Sequence, residues 1–197
     1  MNISTKVVKN YVAGINEVTM GKPYVGERGA YKVVCIPFFA DGAEYPKDAS
    51  WFIPTKPMQW ATLDELAGMM ARELMEVYEF FVPIEDLQGK NFSSFEELIS
   101  EFNQLLPEDF TSKKMEVAMC YGKPTAAGKV YLQVANENRY KKELVAKRWI
   151  RDPKSESAVL SWGEDFAKRL TAVVVPTTNV NLSAGPSATT GGASVSI

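Results

Sequence analysis

GKPYVGERGAYKVVCIPFF, residues 21–39, combines a Pro/Gly-punctuated approach, a glycine turn at Gly29 and a strand-like run from Ala30 to Phe39. Under period-two alternation Tyr31, Val33 and Cys35 share one face and Lys32, Val34 and Ile36 the other. Pro37 is expected to end the ladder or to mark a sheet edge, because it brings no backbone N–H. Arg28, Tyr31 and Lys32 set cationic and aromatic side chains around this strand.

Upstream, residues 1–10 form a polar lead-in, and Tyr11 to Val18 reads as a first strand. Downstream, Asp41 to Ser50 is a turn-rich loop, and Trp51-Phe52-Ile53 is a short apolar segment closed by Pro54. The pattern then changes. Thr62 with Glu65 three residues later is a capping box. Leu63, Leu66, Met70, Leu74, Val77 and Phe81 follow at three- and four-residue steps, which predicts an amphipathic helix ending before Pro83. Ser94 and Glu97 open a second, shorter helix that carries Phe95, Leu98, Ile99, Phe102 and Leu105 and stops at Pro107.

Strands return at 115–121 and 129–135, joined by the hairpin-length loop GKPTAAG. Ala158 to Trp162 reads as another strand, and Asp165 to Val175 as a final helix or strand, with the valine run favouring strand. From Pro176 to Ile197 the chain is uncharged and rich in Ser, Thr and Gly, which predicts a flexible tail from about Asn179. The expectation is a mainly antiparallel α+β domain over residues 1–175, with a helical insertion at about 62–106 and the tail 176–197.

Charge is segregated along the chain. Asp64 to Asp109 holds twelve acidic residues against Arg72 and Lys90, and Arg139 to Lys154 holds seven basic residues against Glu143 and Asp152. The net charge is only −2 with 46% hydrophobic residues, so a packed core is available and a uniformly basic coat is excluded. Cys35 and Cys120 lie in apolar runs, as small buried hydrophobes do. No stretch approaches the ~20 apolar residues of a membrane span, and a soluble cytoplasmic protein is expected, in the host cytoplasm if viral.

The chain has no histidine, which removes the Ser-His and Cys-His nucleophile systems and most zinc sites. Gly122-Lys123-Pro124-Thr125 lacks the first glycine and the Ser/Thr of a phosphate loop. Neighbouring acids such as Glu96-Glu97 point apart on a helix and serve as caps or solvated faces. No enzyme, cofactor or metal is expected.

The basic and aromatic residues carry more information. With Arg28, Tyr31 and Lys32 come Tyr131 on the outer face of its strand, then Tyr140, Lys141, Lys147, Arg148, Trp149 and Arg151. Cations neutralise phosphates while flat rings stack on bases, the combination that holds single-stranded nucleic acid. The competing reading is ordinary: aromatic residues in strands are often core or edge, and Lys/Arg runs are often solvated.

Lys22-Pro23-Tyr24, Gly26, Arg28-Gly29-Ala30-Tyr31-Lys32-Val33 and Ile36-Pro37 together resemble the opening of the podophage type of phage single-stranded DNA-binding proteins. The resemblance implies an OB-like, partly open β-barrel interrupted by a helix, which coats single-stranded DNA in replication or recombination, with replication proteins as partners. Members of that family end in an acidic segment with a terminal aromatic residue, whereas this chain ends in uncharged residues and Ile197. The second expectation is a viral structural or assembly protein, a homo-oligomer or virion component. It would self-associate through its acidic helices, its basic segment and its C-terminal arm.

Overall fold

Gly29 at φ +62° and Ala30 make a two-residue turn that puts Arg28 opposite Tyr31 and so sets the register of the first hairpin. The computed structural model describes residues 11–86, 89–137, 141–144, 148–154 and 162–171. Strands β1 (Gly14–Met20), β2 (Tyr24–Arg28), β3 (Tyr31–Ala40) and β4 (Lys47–Phe52) precede helices α1 (Leu63–Tyr78) and α2 (Phe95–Leu105). Strands β5 (Lys114–Tyr121), β6 (Leu132–Val134) and β7 (Ile150–Arg151) follow, then a single helical turn, α3 (Glu164–Ala167).

Among the described residues every strand pairing is antiparallel. β3 takes β4 along one edge and both β2 and β1, one after the other, along the opposite edge. The handover falls at Pro37. Tyr24 pairs with Cys35 and Met20 with Phe38, so Pro37 sits in the gap between two ladders where no donor is required. Its carbonyl accepts the Gly21 N–H at 2.8 Å, and the strand runs on to Ala40 instead of ending. Gly21 is needed there, because a Cβ would come 2.7 Å from the Phe39 ring and 2.9 Å from Pro37.

Beyond the handover, β1 pairs along its length with β5, and β5 takes β6 and β7 on its far edge. β6 then approaches β4, where the Asn136 side-chain amide donates to the Ser50 carbonyl at 3.1 Å. The protein is therefore α+β, with an antiparallel sheet curled into an OB-like, partly open barrel. Its inside is filled by Val34, Ile36 and Phe38 of β3, by Trp51 of β4, and by Val117 and Met119 of β5.

The two helices lie between β4 and β5 in sequence and cover the barrel with Met70, Leu74, Val77 and Tyr78 of α1 and Leu98, Ile99 and Phe102 of α2. Both caps form as expected. Thr62 Oγ1 accepts the Glu65 N–H while the Glu65 carboxylate accepts the Thr62 N–H, and Ser94 Oγ accepts the Glu97 N–H. The Glu97 carboxylate reaches back to Ser93 instead of Ser94.

Several boundaries differ from expectation, among them β1, shifted to Gly14–Met20, β4, which starts at Lys47 within the stretch read as a loop, and β7, which was not read as a strand. Tyr24–Arg28, read as a broken approach, is strand β2, since the glycines between Gly21 and Gly29 sit at a close approach, within the strand and at a turn without interrupting pairing. The 129–135 strand is confined to Leu132–Val134. Glu164–Ala167 is helix, continued by a 3-10 turn to Leu170. The valine run after it, the 176–197 tail and most of the Ala158–Trp162 strand lie outside the described residues. Cys35 and Cys120 are both free and buried. Among the described residues no helix is long and apolar enough to cross a membrane.

Candidate nucleic-acid interface

Register across β2, β3 and β4 builds one continuous outer face. Arg28 pairs with Tyr31; Gly26, Val33 and Phe52 form the next row; Tyr24, Cys35 and Ser50 the next. Val34, Ile36 and Phe38 point into the barrel, so by alternation the side chains of these rows point outward. The Tyr24 ring lies over Gly26, where a Cβ would be 3.0 Å from its edge. Tyr31 and Phe52 meet edge to face with ring centroids 5.8 Å apart. Each is 58% exposed, whereas Val33 and Cys35 beside them are buried. Three aromatic rings thus form an exposed layer over an apolar floor.

Polar groups fix this layer at one side. The Tyr24 hydroxyl donates to Asp48 at 3.3 Å, and the Arg28 guanidinium lies 3.9 Å from the same carboxylate. Burial, then the Cys35 thiol and the Asp48 charge, pushes the Tyr24 phenol up to about 12, so it stays neutral and donating. Burial raises the Cys35 thiol as well. On the other side an open groove of about 590 Å³ runs from Tyr31 and Phe52 past Lys56 and Met58 to Leu66 and Met70 in the first turns of α1. Lys56 is exposed and has no ion pair among the described residues.

The residues singled out from sequence divide sharply. Arg28 and Tyr31 belong to the aromatic face. Lys32 is on the opposite face of β3, where it pairs with Glu96 of α2 at 2.7 Å. That contact raises the Lys32 ammonium and is the first cause lowering Glu96. Lys141 is only 9% exposed and lies 3.4 Å from Glu73 and 3.7 Å from Glu76 of α1. Arg148 pairs with Glu79 at 3.7 Å, and Arg151 with Glu116 of β5. Lys141 and Arg148 of the basic segment therefore meet acids of the insertion within one molecule, while Lys32 reaches the insertion from β3 and Arg151 pairs within the sheet.

Trp149 requires a correction. It is fully buried inside the barrel, 5.9 Å from both Phe38 and Trp51 between ring centroids, and cannot stack on a base. Pairing of β7 with β5, together with the Ala118 N–H donated to the Trp149 carbonyl, draws this segment into the wall. Tyr131 is exposed as expected, but β4 and β6 run in the same direction past Ser50 and Asn136. Phe52 lies two residues beyond Ser50 and Tyr131 five before Asn136, so the two rings sit toward opposite ends of the seam. Arg148 and Arg151 line a groove with Glu79 at the last turn of α1. Thirteen residues of helix, roughly 20 Å, separate it from Leu66. Tyr140 and Lys147 lie outside the described residues.

Tyr24, Phe52, Lys56 and Met58 were not singled out from sequence. A signal existed for the first two: a two-residue turn at Gly29-Ala30 implies that Tyr24 shares a face with Arg28 and Tyr31, and adjacent Trp51 and Phe52 in a strand must face opposite sides. Among the described residues no cluster of His, Cys, Asp or Glu could hold a metal ion. Comparison with known proteins finds no matching family model, no matching curated protein and no matching solved structure.

Proposed function

We propose that this protein binds single-stranded DNA on the outer face of β2, β3 and β4, stacking bases on Tyr24, Tyr31 and Phe52. Coating of single strands in replication or recombination is the role that fits such a face. The observation that carries the proposal is the exposed edge-to-face pair of Tyr31 and Phe52 on a curled antiparallel sheet, with Arg28 opposite Tyr31. Rings presented to water on a rigid sheet suit sequence-tolerant stacking, and oligonucleotide binding on the strand face is a recurrent use of this architecture.

The electrostatic share of binding is small on this reading. Lys32, Lys141, Arg148 and Arg151 are engaged with carboxylates of the same chain, so beside the aromatic face Lys56 is left to meet phosphates, together with Arg28, whose contact with Asp48 is a long 3.9 Å. Binding then releases few counterions, and affinity falls only shallowly with salt. The same internal pairing engages Glu73, Glu76 and Glu79 with Lys141 and Arg148, so these charges are less available for self-association, the second reading. Fluorescence anisotropy of a labelled oligo(dT) at two salt concentrations is the test. Binding that is shallow in salt and lost with the aromatic residues supports the proposal; absence of binding removes it.

A further inference from the structure

The groove beyond Phe52 is apolar on both walls, with Phe52, Ile53 and Pro54 on the sheet side and Leu66 and Met70 on the helix, joined by Met58 from the intervening turn. Its polar side chains are the Tyr31 hydroxyl, Thr55 and Lys56. That lining has no carboxylate and no side-chain amide, the groups that read the hydrogen-bonding edge of a base in a bidentate manner. Lys56 is a cation without a carboxylate partner among the described residues, at the rim of an apolar slot that begins at the stacking pair. Each nucleotide of a single strand offers the complement: a flat, largely apolar face beside an anion.

We infer that this groove takes one unstacked base with its phosphate on Lys56, and that it favours thymine. The inference rests on the proposed single-strand binding. Thymine is the natural base that carries a methyl group on its edge, and the groove offers Met58, Leu66 and Met70 as partners for it. Burying one methyl group corresponds to about a fourfold gain in affinity. The preference makes the groove a device for choosing DNA over RNA, because RNA presents uracil at the same positions.

The test is competition binding of oligo(dT) against oligo(dU) of equal length, both with deoxyribose so that the methyl group is the sole difference. The wild-type protein is expected to favour oligo(dT) about fourfold. Met58→Ala, exposed and outside the core, should bring that ratio close to one. Lys56→Ala should weaken both oligonucleotides equally, and Tyr24→Ala should weaken both while leaving the ratio intact. Equal affinity for the two in the wild-type protein, with binding present, overturns the groove inference and leaves the function standing. No binding of either overturns both. Concentration-dependent dimerisation without oligonucleotide that Met58→Ala abolishes would assign the groove to a second copy and overturn the inference.

Discussion

Tyr31 and Phe52 face each other across β3 and β4 edge to face, 5.8 Å between ring centroids, and both stand in water. Each ring is expected to contribute about 1–3 kcal/mol to stacking with a base. Tyr31→Ala and Phe52→Ala should therefore each lower oligonucleotide affinity roughly 5- to 150-fold. Because the rings touch, the double variant should lose less than the sum. Thermal stability should move little, since both rings are exposed. Wild-type anisotropy curves in both variants would remove the binding face.

Trp149 belongs to the core, against Phe38 and Trp51. Trp149→Ala should cost about 3–5 kcal/mol, a large share of the ~5–15 kcal/mol typical of a domain. Urea denaturation followed by circular dichroism measures it. Among the described residues its indole N–H has no partner, so Trp149→Phe, which removes that buried donor, should cost much less. A Trp149→Ala protein with a wild-type midpoint would contradict the buried placement.

Lys141 ties α1 to the segment after β6 through Glu73 and Glu76, and Glu73 also accepts the Trp51 indole N–H at 2.8 Å. Lys141→Met leaves two carboxylates one helical turn apart without their cation and should destabilise by about 3 kcal/mol. Adding Glu73→Gln and Glu76→Gln should restore most of that loss. Chemical denaturation of the single and triple variants decides it: equal losses in the two would mean that packing of the lysine stem, not its charge, is what matters.

Acid should loosen the helical insertion first. Glu96 is held below the usual carboxylate value of 4.5 chiefly by Lys32, while Glu65 and Glu97 are held below it by the capping groups at Thr62 and Ser93. A carboxyl whose folded pKa is depressed stabilises the fold fully above its unfolded value, and that contribution fades as pH falls through the folded one. The melting temperature should thus be flat at neutral pH and decline below about pH 4.5, with Lys32→Ala and Thr62→Ala flattening the decline. An acid profile identical in wild type and both variants would show that these contacts do not set it.

Local chemistry was legible in the chain. The capping pairs Thr62–Glu65 and Ser94–Glu97, the three- and four-residue apolar steps of α1 and α2, and the alternation in β3 and β5 depend on residues a few positions apart. Antiparallel strands around a helical insertion followed from these, and so did burial of Cys35 and Cys120. Alternation also separated Tyr31 from Lys32 correctly.

What alternation leaves open is which face is inside and what each charge meets. Handover of β3 from β2 to β1 at Pro37 curls the sheet, and the curl makes Val34, Ile36 and Phe38 the inner row and Tyr31 with Phe52 the outer one. Pairing of β7 with β5 carries Trp149 into the core although cations flank it in sequence. Docking of the insertion brings Glu73, Glu76, Glu79 and Glu96 onto Lys141, Arg148 and Lys32 across separations of dozens of residues. By itself the sequence determined α1, α2, β3 and β5, because helix periodicity, caps and strand alternation are short-range. Tertiary structure alone decided which aromatic residues face water and which cations remain free, because those depend on contacts between segments distant in the chain.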